Sequence, residues 1–64
     1  MPITRRAAKR IFREVGAGRV SDSAADELAI AMNRFAYGIA KKAVQLAAHA
    51  KRKTVKKSDV ELAK

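Results

Sequence analysis

The chain has 64 residues, no cysteine and a formal net charge of +9, with 15 Lys or Arg against 6 Asp or Glu. Such a length leaves room for a single small domain, residues 1–64, and the absence of thiols excludes disulfides and thiolate-bound metal. A hydrophobic fraction of 48% excludes a disordered basic tail, so the charge indicates a folded partner of nucleic acid, anionic membrane or acidic protein. No apolar run approaches the roughly 20 residues of a bilayer span, and no signal peptide is recognisable, so we expect a soluble intracellular protein.

The first predicted helix begins after Thr4, a suitable N-cap, and ends near Val15. Apolar residues recur along it at helical spacing, and basic residues cover the rest of its surface. The apolar positions are Ala8, Ile11, Phe12 and Val15. Gly16 and Gly18 then end the helix.

The second predicted helix begins after Ser21, with Asp22 in its first turn, and continues to about Lys51. An apolar stripe follows the helical period along its whole length. The stripe consists of Leu28, Met32, Phe35, Ile39, Ala43, Leu46 and Ala50, and a separate ridge contains Ile30, Tyr37, Val44 and Ala48. A helix that is apolar on two sides is expected to have neighbours on two sides.

The length of this second helix favours a dimer. About 28 residues at 1.5 Å each give a rod of about 42 Å. A compact monomer of this size is only about 28 Å across, so the rod would protrude and expose its stripe to water. We therefore expect a second chain to cross it, most simply in a two-fold homodimer.

The third predicted helix follows Ser58, spans two turns, and directs Val60 and Ala63 inward. No segment alternates as a strand would. The predicted fold class is therefore all-α, in the order short helix, loop, long central helix, loop, short helix.

Catalytic and metal sites are not expected. The one histidine, His49, lacks a nucleophile partner, and neither a second histidine nor a cysteine is present to complete a zinc site. No Gly-rich phosphate loop joins a strand to a helix. We expect no enzymatic activity, no metal, no cofactor and no small-molecule substrate.

This helix order, with "GAGRVSDSA" at the first loop and "HAKRKTVKKSDVELA" at the second, resembles the histone fold, and most closely the archaeal histones. The resemblance covers about Ile11 to Ala63. It implies a handshake dimer in which two long helices cross, with a dimer core that includes Leu28, Met32, Phe35, Ile39 and Ala43. It also implies a cytoplasmic, chromosome-associated protein that binds double-stranded DNA largely without sequence specificity, wraps it, and assembles into nucleosome-like multimers.

The same resemblance assigns DNA contacts. Arg19 corresponds to an arginine inserted into the minor groove, and other positions meet the phosphate backbone. Segment 51–57, in which five of seven residues are Lys or Arg, lies between predicted helices, which favours a DNA contact over a solvated charge run or a nuclear targeting signal. Ser21 begins a helix whose free N–H groups suit an anion. The predicted contacts are Arg10, Arg13, Arg19, Ser21, Arg52, Lys53, Thr54 and Lys56.

Two further roles follow from the resemblance. Arg52 and Asp59 correspond to an internal ion pair that joins the second loop to the third helix. The surface through which one dimer meets the next corresponds to Leu46, His49, Asp59 and Leu62. Among the departures from the family, Lys51 stands where glycine is frequent, so a left-handed helix end would be more costly there. The opening "TRRAAKR" is more basic than the family's usual apolar start, which is expected to strengthen DNA contact.

Other interpretations remain open at this stage. The chain could be a histone-fold subunit of a sequence-specific transcription factor that requires a different partner chain, or a heterodimer with another histone. A basic amphipathic membrane binder is a further alternative. Against it, the charges concentrate in the loops and the first helix rather than along one face of the long helix.

Overall fold

The computed structural model describes residues 2–64, which form three helices and no strand. The helices are α1 (Arg5–Glu14), α2 (Asp22–His49) and α3 (Lys57–Ala63). The all-α class and the predicted order of elements are confirmed. Within residues 2–64, none of these helices offers a stretch both long and apolar enough to cross a bilayer.

The chain folds as two compact units that divide within α2, between Arg34 and Phe35. Each unit is described by itself below. The first contains α1 and the N-terminal part of α2, and the second contains the rest of α2 with α3. That residues 1–64 form one domain stays a prediction.

The predicted start of α1 and of α2 is confirmed at atomic detail. The Thr4 Oγ1 accepts a hydrogen bond from the Ala7 N–H at 3.2 Å, and the Ser21 Oγ accepts one from the Ala24 N–H at 3.1 Å. Each hydroxyl satisfies one of the N–H groups that the first turn of a helix leaves without a partner. Val15 is the C-cap of α1, as predicted.

The core of the first unit is made of small side chains. Ala8 of α1 and Ala25 and Ala29 of α2 are completely buried, and Val20 and Leu28 pack against them. Methyl-sized contacts let two helices approach closely, but each buried methyl contributes only about 0.8 kcal/mol. This unit therefore gains little from its own core.

The large apolar side chains are left largely uncovered by the single chain. Among residues 2–64 no large side chain is fully buried, and Phe35 and Val15 are 70% and 78% exposed. The predicted apolar stripe of α1 is thus only partly inward-facing: Ala8 is buried, whereas Ile11 and Val15 are exposed.

The second unit corrects the sequence prediction for α3. The helix begins at Lys57, with Lys56 as its N-cap, rather than after Ser58. Val60 is exposed, which contradicts its predicted inward position, whereas Asp59 and Ala63 are buried. Asp59 and Ala63 stand four residues apart and share one helical face, and the bonds that Asp59 makes draw that face inward.

Candidate nucleic-acid interface

The first loop begins at a sharp helix end. In a Schellman motif, the Gly16 N–H donates to the Arg13 carbonyl at 3.1 Å and the Ala17 N–H donates to the Phe12 carbonyl at 3.0 Å. Gly16 has φ 101°, in the left-handed region that glycine adopts at little steric cost. Backbone bonds therefore fix the start of the loop, and Val20 near its end packs against the buried core.

Arg19 lies in this loop as an exposed side chain. Among residues 2–64 no carboxylate lies within 4 Å of its guanidinium. Ser21 follows, and its hydroxyl caps α2 and lies 3.3 Å from the Ser23 hydroxyl. The structure thus gives Ser21 a structural role, and its contact with DNA stays a prediction. The positive charge of Arg19 is free for an anion from outside the chain.

The second loop begins with the same motif built on a different residue. The Lys51 N–H donates to the Ala48 carbonyl and the Arg52 N–H donates to the Ala47 carbonyl, both at 2.9 Å. Lys51 has φ 61°, and it alone among the non-glycine residues of 2–64 has a positive φ. The left-handed helix end expected at this position is confirmed. It also explains why α2 ends at His49, two residues before the predicted end.

The predicted ion pair between Arg52 and Asp59 forms in this second loop. The Arg52 Nη1 and Nη2 donate to the two carboxylate oxygens of Asp59 at 2.8 and 2.9 Å, and Nη1 also donates to the Thr54 carbonyl at 3.1 Å. The Lys56 N–H donates to Asp59 Oδ2 at 2.8 Å, which caps α3. The Arg52 guanidinium and the Lys56 amide together lower the pKa of Asp59 to about 2.

These bonds distinguish the predicted DNA contacts of the second loop that are engaged within the chain from those that are exposed. The Arg52 guanidinium is engaged within the chain, so its main role is to hold the loop, and its contact with DNA stays a prediction. Lys53, Thr54 and Lys56 have exposed side chains. Among residues 2–64 neither lysine has a carboxylate partner. The loop thus exposes two lysines and a hydroxyl, while the bonds of Arg52 hold its backbone in place.

The basic residues of α1 fall into two groups that the sequence analysis did not distinguish. The Arg5 guanidinium donates to the carboxylate of Asp26 at 2.8 and 2.9 Å and lies 3.4 Å from that of Asp22. The Lys9 ammonium lies 2.6 Å from the Asp22 carboxylate. Lys9 lowers the pKa of Asp22, and Arg5 lowers that of Asp26. The signal that could have revealed this network is the four-residue spacing of Arg5 and Lys9, which places both charges on one face of the helix.

By contrast, Arg10 and Arg13 are exposed. Arg10 makes one long contact, 3.4 Å to Glu14, between side chains that are both solvent-exposed. Such a surface pair contributes little and is readily exchanged for another anion. Both predicted backbone contacts on α1 therefore have charges available to a partner.

Asn33 is a second structural residue that the sequence analysis missed. Its side chain is buried, accepts a hydrogen bond from the Ile3 N–H at 3.1 Å, and donates to the carbonyls of Ile3 and Ala29 at 2.8 Å each. The segment before α1 is thereby fixed to α2. In the sequence, the only indication of this role is that Asn33 is a polar residue among apolar residues that recur at helical spacing.

The residues predicted to join one dimer to the next lie in the second unit. Leu46, His49 and Leu62 line a concave surface of about 360 Å³, together with Lys42, Gln45 and Ala63. Asp59 is 3% exposed and bonded to Arg52, so in the single chain its carboxylate is engaged internally. Its direct contact with a second dimer stays a prediction.

The residues predicted for the dimer core differ in exposure. Leu28, Met32 and Ile39 are partly buried, Phe35 is exposed, and Ala43 is already buried within its own chain. Within residues 2–64 no group of three or more His, Asp or Glu side chains could hold a metal ion.

Comparison with known proteins identifies the family of this chain. Residues 1–63 match the family described as "Histone-like transcription factor (CBF/NF-Y) and archaeal histone". The chain is 52% identical over 54 residues to a probable archaeal histone 3 of Methanocaldococcus jannaschii. It is 50% identical over 54 residues to one of the subunits of the archaeal histone HAN1 of Thermococcus zilligii. Each alignment covers 84% of this chain and 81% of the relative. The chain therefore belongs to the family of histone-like transcription factors and archaeal histones, a family of DNA-binding proteins built on the histone fold.

Proposed function

We propose that this protein is an archaeal-type chromatin protein, associated with the chromosome, that acts as a homodimer. It binds duplex DNA with little sequence preference, bends the DNA around the protein, and adds further dimers alongside. The observation that carries this proposal is the set of exposed cations in both loops, Arg19, Lys53 and Lys56, whose charged groups have no carboxylate within 4 Å among residues 2–64. Family membership and the identity to archaeal histones support it.

The dimer is supported by what the single chain leaves uncovered. Phe35, Tyr37 and Val44 are all more than half exposed on α2, yet they belong to the two apolar ridges of that helix. Burial of one such side chain contributes about 1.5–3 kcal/mol. A crossing partner helix provides this burial, and a chain with a core of alanines needs it.

The binding mode follows from charge. A homodimer carries +18, twice +9, whereas duplex DNA carries one negative charge per about 1.7 Å of helix axis. Release of condensed counterions then dominates the affinity, and the log of the binding constant falls with the log of salt concentration with a slope of about −0.9 per phosphate contact. Charges on flexible side chains meet phosphates that every sequence shares, so binding is nonspecific.

Assembly beyond the dimer is supported by the concave surface around Leu46, His49 and Leu62. Leu62 is 75% exposed there, and a second copy of the same surface would cover it. Repetition of such a contact along DNA produces a chain of dimers.

Nuclease digestion of reconstituted complexes on mixed-sequence duplex DNA tests the proposal. We expect a ladder of protected fragments whose lengths increase in equal steps, one step for each added dimer. A single short footprint would keep the DNA-binding dimer and overturn the assembly. A featureless smear would mean that the charge only coats DNA, and would overturn wrapping as well.

A second candidate function has support from the family description, which includes histone-like transcription factors. In that case the chain requires a different partner and reads a specific sequence. Sedimentation equilibrium of the purified chain distinguishes the two: a stable homodimer favours the chromatin protein, and a monomer with exposed apolar ridges favours the transcription-factor subunit.

A further inference from the structure

We propose that Arg6 is an additional phosphate-binding residue, and that with Arg10 and Arg13 it forms a groove on α1 for the backbone of duplex DNA. We name this set, Arg6, Arg10 and Arg13, the arginine groove. The inference rests on the proposed function and extends it, because Arg6 lies outside the predicted DNA contacts. The three side chains line one concave region of about 350 Å³ with Thr4 and Ala7.

The arginine groove and the paired cations occupy adjoining sectors of the surface of α1. At 100° per residue, Arg6, Arg10 and Arg13 lie within about 60° of one another. Arg5 and Lys9 lie on the adjoining face, where the carboxylates of Asp22 and Asp26 neutralise them. Among residues 2–64 neither Arg6 nor Arg13 has a carboxylate within 4 Å. The helix thus uses one basic face internally and leaves the other to an external anion.

The arginine groove destabilises α1 when no anion is bound. Like charges at positions i and i+4, as in Arg6 and Arg10, cost a helix about 0.2–0.5 kcal/mol. The first turn of α1 contains no acidic residue, so the positive end of the helix dipole adds to the repulsion on Arg6. A phosphate at this end is attracted both by the guanidinium groups and by the dipole.

The dimensions fit a phosphate backbone. From Arg6 to Arg13 the helix rises about 10.5 Å, whereas successive phosphates of one DNA strand are about 3.4 Å apart along the axis. Because each strand winds around the duplex axis, its phosphates are farther apart along the strand than along the axis, so the groove spans fewer than three phosphates of a strand lying along it. A bidentate guanidinium at each end holds that strand in register.

Salt-dependent binding of Arg6→Gln to mixed-sequence duplex DNA tests this role. One phosphate contact per chain contributes about 0.9 to the slope, or about 1.8 per homodimer. Between about 50 and 200 mM salt, the wild-type protein should therefore lose about tenfold more affinity than the variant loses. Arg6→Lys retains the charge and should keep a slope close to that of the wild type.

The matched control is Arg34→Gln, which removes one exposed cation from α2. We expect the salt slope of Arg34→Gln to remain close to that of the wild type. An equal reduction of the slope in Arg34→Gln and Arg6→Gln would mean that net charge alone determines binding, which overturns the role of Arg6. A wild-type slope in Arg6→Gln also overturns it while leaving the proposed function intact. If the wild-type chain itself binds duplex DNA without salt dependence, the proposed function fails first. Thermal unfolding separates folding from binding, since Arg5→Gln should lower Tm and Arg6→Gln should not.

Discussion

The guanidinium of Arg52 and the carboxylate of Asp59 form two parallel hydrogen bonds, 2.8 and 2.9 Å long, across seven residues of chain. The same carboxylate accepts the Lys56 N–H, so one side chain closes the second loop and starts α3. Lys53 and Thr54, two of the predicted DNA contacts, lie between the residues of this pair. The pair therefore holds the loop that carries these predicted contacts, and its loss is expected to weaken both the fold and the binding of DNA.

Asp59→Asn is expected to lower Tm by several degrees. The amide cannot neutralise Arg52, and its single carbonyl oxygen cannot replace both carboxylate acceptors. Glu61→Gln is the matched control, because Glu61 makes only an exposed contact of 3.6 Å with Lys64. Equal Tm values for the two variants in thermal denaturation would contradict the structural role of Asp59.

Acid is expected to destabilise the protein through three carboxylates. The pKa of Asp59 is lowered to about 2, and those of Asp22 and Asp26 are lowered from their ordinary value near 3.8. A carboxylate whose pKa is lowered in the folded state stabilises the protein fully at pH values well above its ordinary pKa. This stabilisation is lost as the pH falls below about 3.8 toward 2. Denaturant titrations at a series of pH values check this. In Asp59→Asn the free energy of unfolding should decrease less steeply as the pH falls. An unchanged decrease would mean that other groups cause the loss of stability in acid.

Lys51→Gly is expected to stabilise the fold by about 1 kcal/mol. The left-handed conformation of Lys51 costs a residue with a side chain about 1–2 kcal/mol, and glycine avoids this cost. Glycine also has more conformational freedom in the unfolded chain, which offsets part of the gain. Gly16→Ala is the converse variant: it places a Cβ at φ 101° and should destabilise by about 1 kcal/mol or more. Chemical denaturation measures both. A loss of stability in Lys51→Gly would mean that the lysine side chain makes a contact worth more than the strain.

Phe35→Ala is expected to weaken the homodimer by about 3–5 kcal/mol per chain, the usual cost of truncating a buried phenylalanine. In the single chain Phe35 is 70% exposed, so the same substitution would change the stability of a monomer very little. Sedimentation equilibrium and the concentration dependence of Tm measure the difference. Leu62→Ala is the control, because Leu62 is predicted to join dimers rather than to form them. Equal effects of the two variants on dimerisation would contradict a dimer core at Phe35.

Arg19→Ala is expected to weaken binding to every duplex by a similar factor and to reduce the salt slope by about 0.9 for each chain. The reason is that no carboxylate of residues 2–64 lies within 4 Å of its guanidinium, which is predicted to enter the minor groove, where different base pairs present similar groups. Titrations against several unrelated duplexes check this. If affinity fell for one sequence only, nonspecific wrapping would be wrong and the transcription-factor alternative would gain.

Much of the fold could be predicted because its signals are local. Thr4, Ser21 and Gly16 mark helix ends through bonds to residues at most five positions away, and the apolar period defines α2 without reference to any partner. The prediction failed where side-chain hydrogen bonds, rather than hydrophobicity, decide which face of a helix is buried. Val60 was expected inside by its hydrophobicity, but the bonds of Asp59 to Arg52 and Lys56 turn the neighbouring face of α3 inward.

The candidate site divides in the same way. Residue order alone is enough to show that the chain is basic, helical and similar to the archaeal histones, and which loop positions carry cations. Which cations of the loops and of α1 are available to a partner depends on contacts made in the folded chain. Arg5, Lys9 and Arg52 are paired with Asp26, Asp22 and Asp59, whereas Arg6, Arg13 and Arg19 have no carboxylate within 4 Å among residues 2–64. Composition counts charges, but their availability depends on the carboxylates that folding brings within about 4 Å, where an ion pair can form.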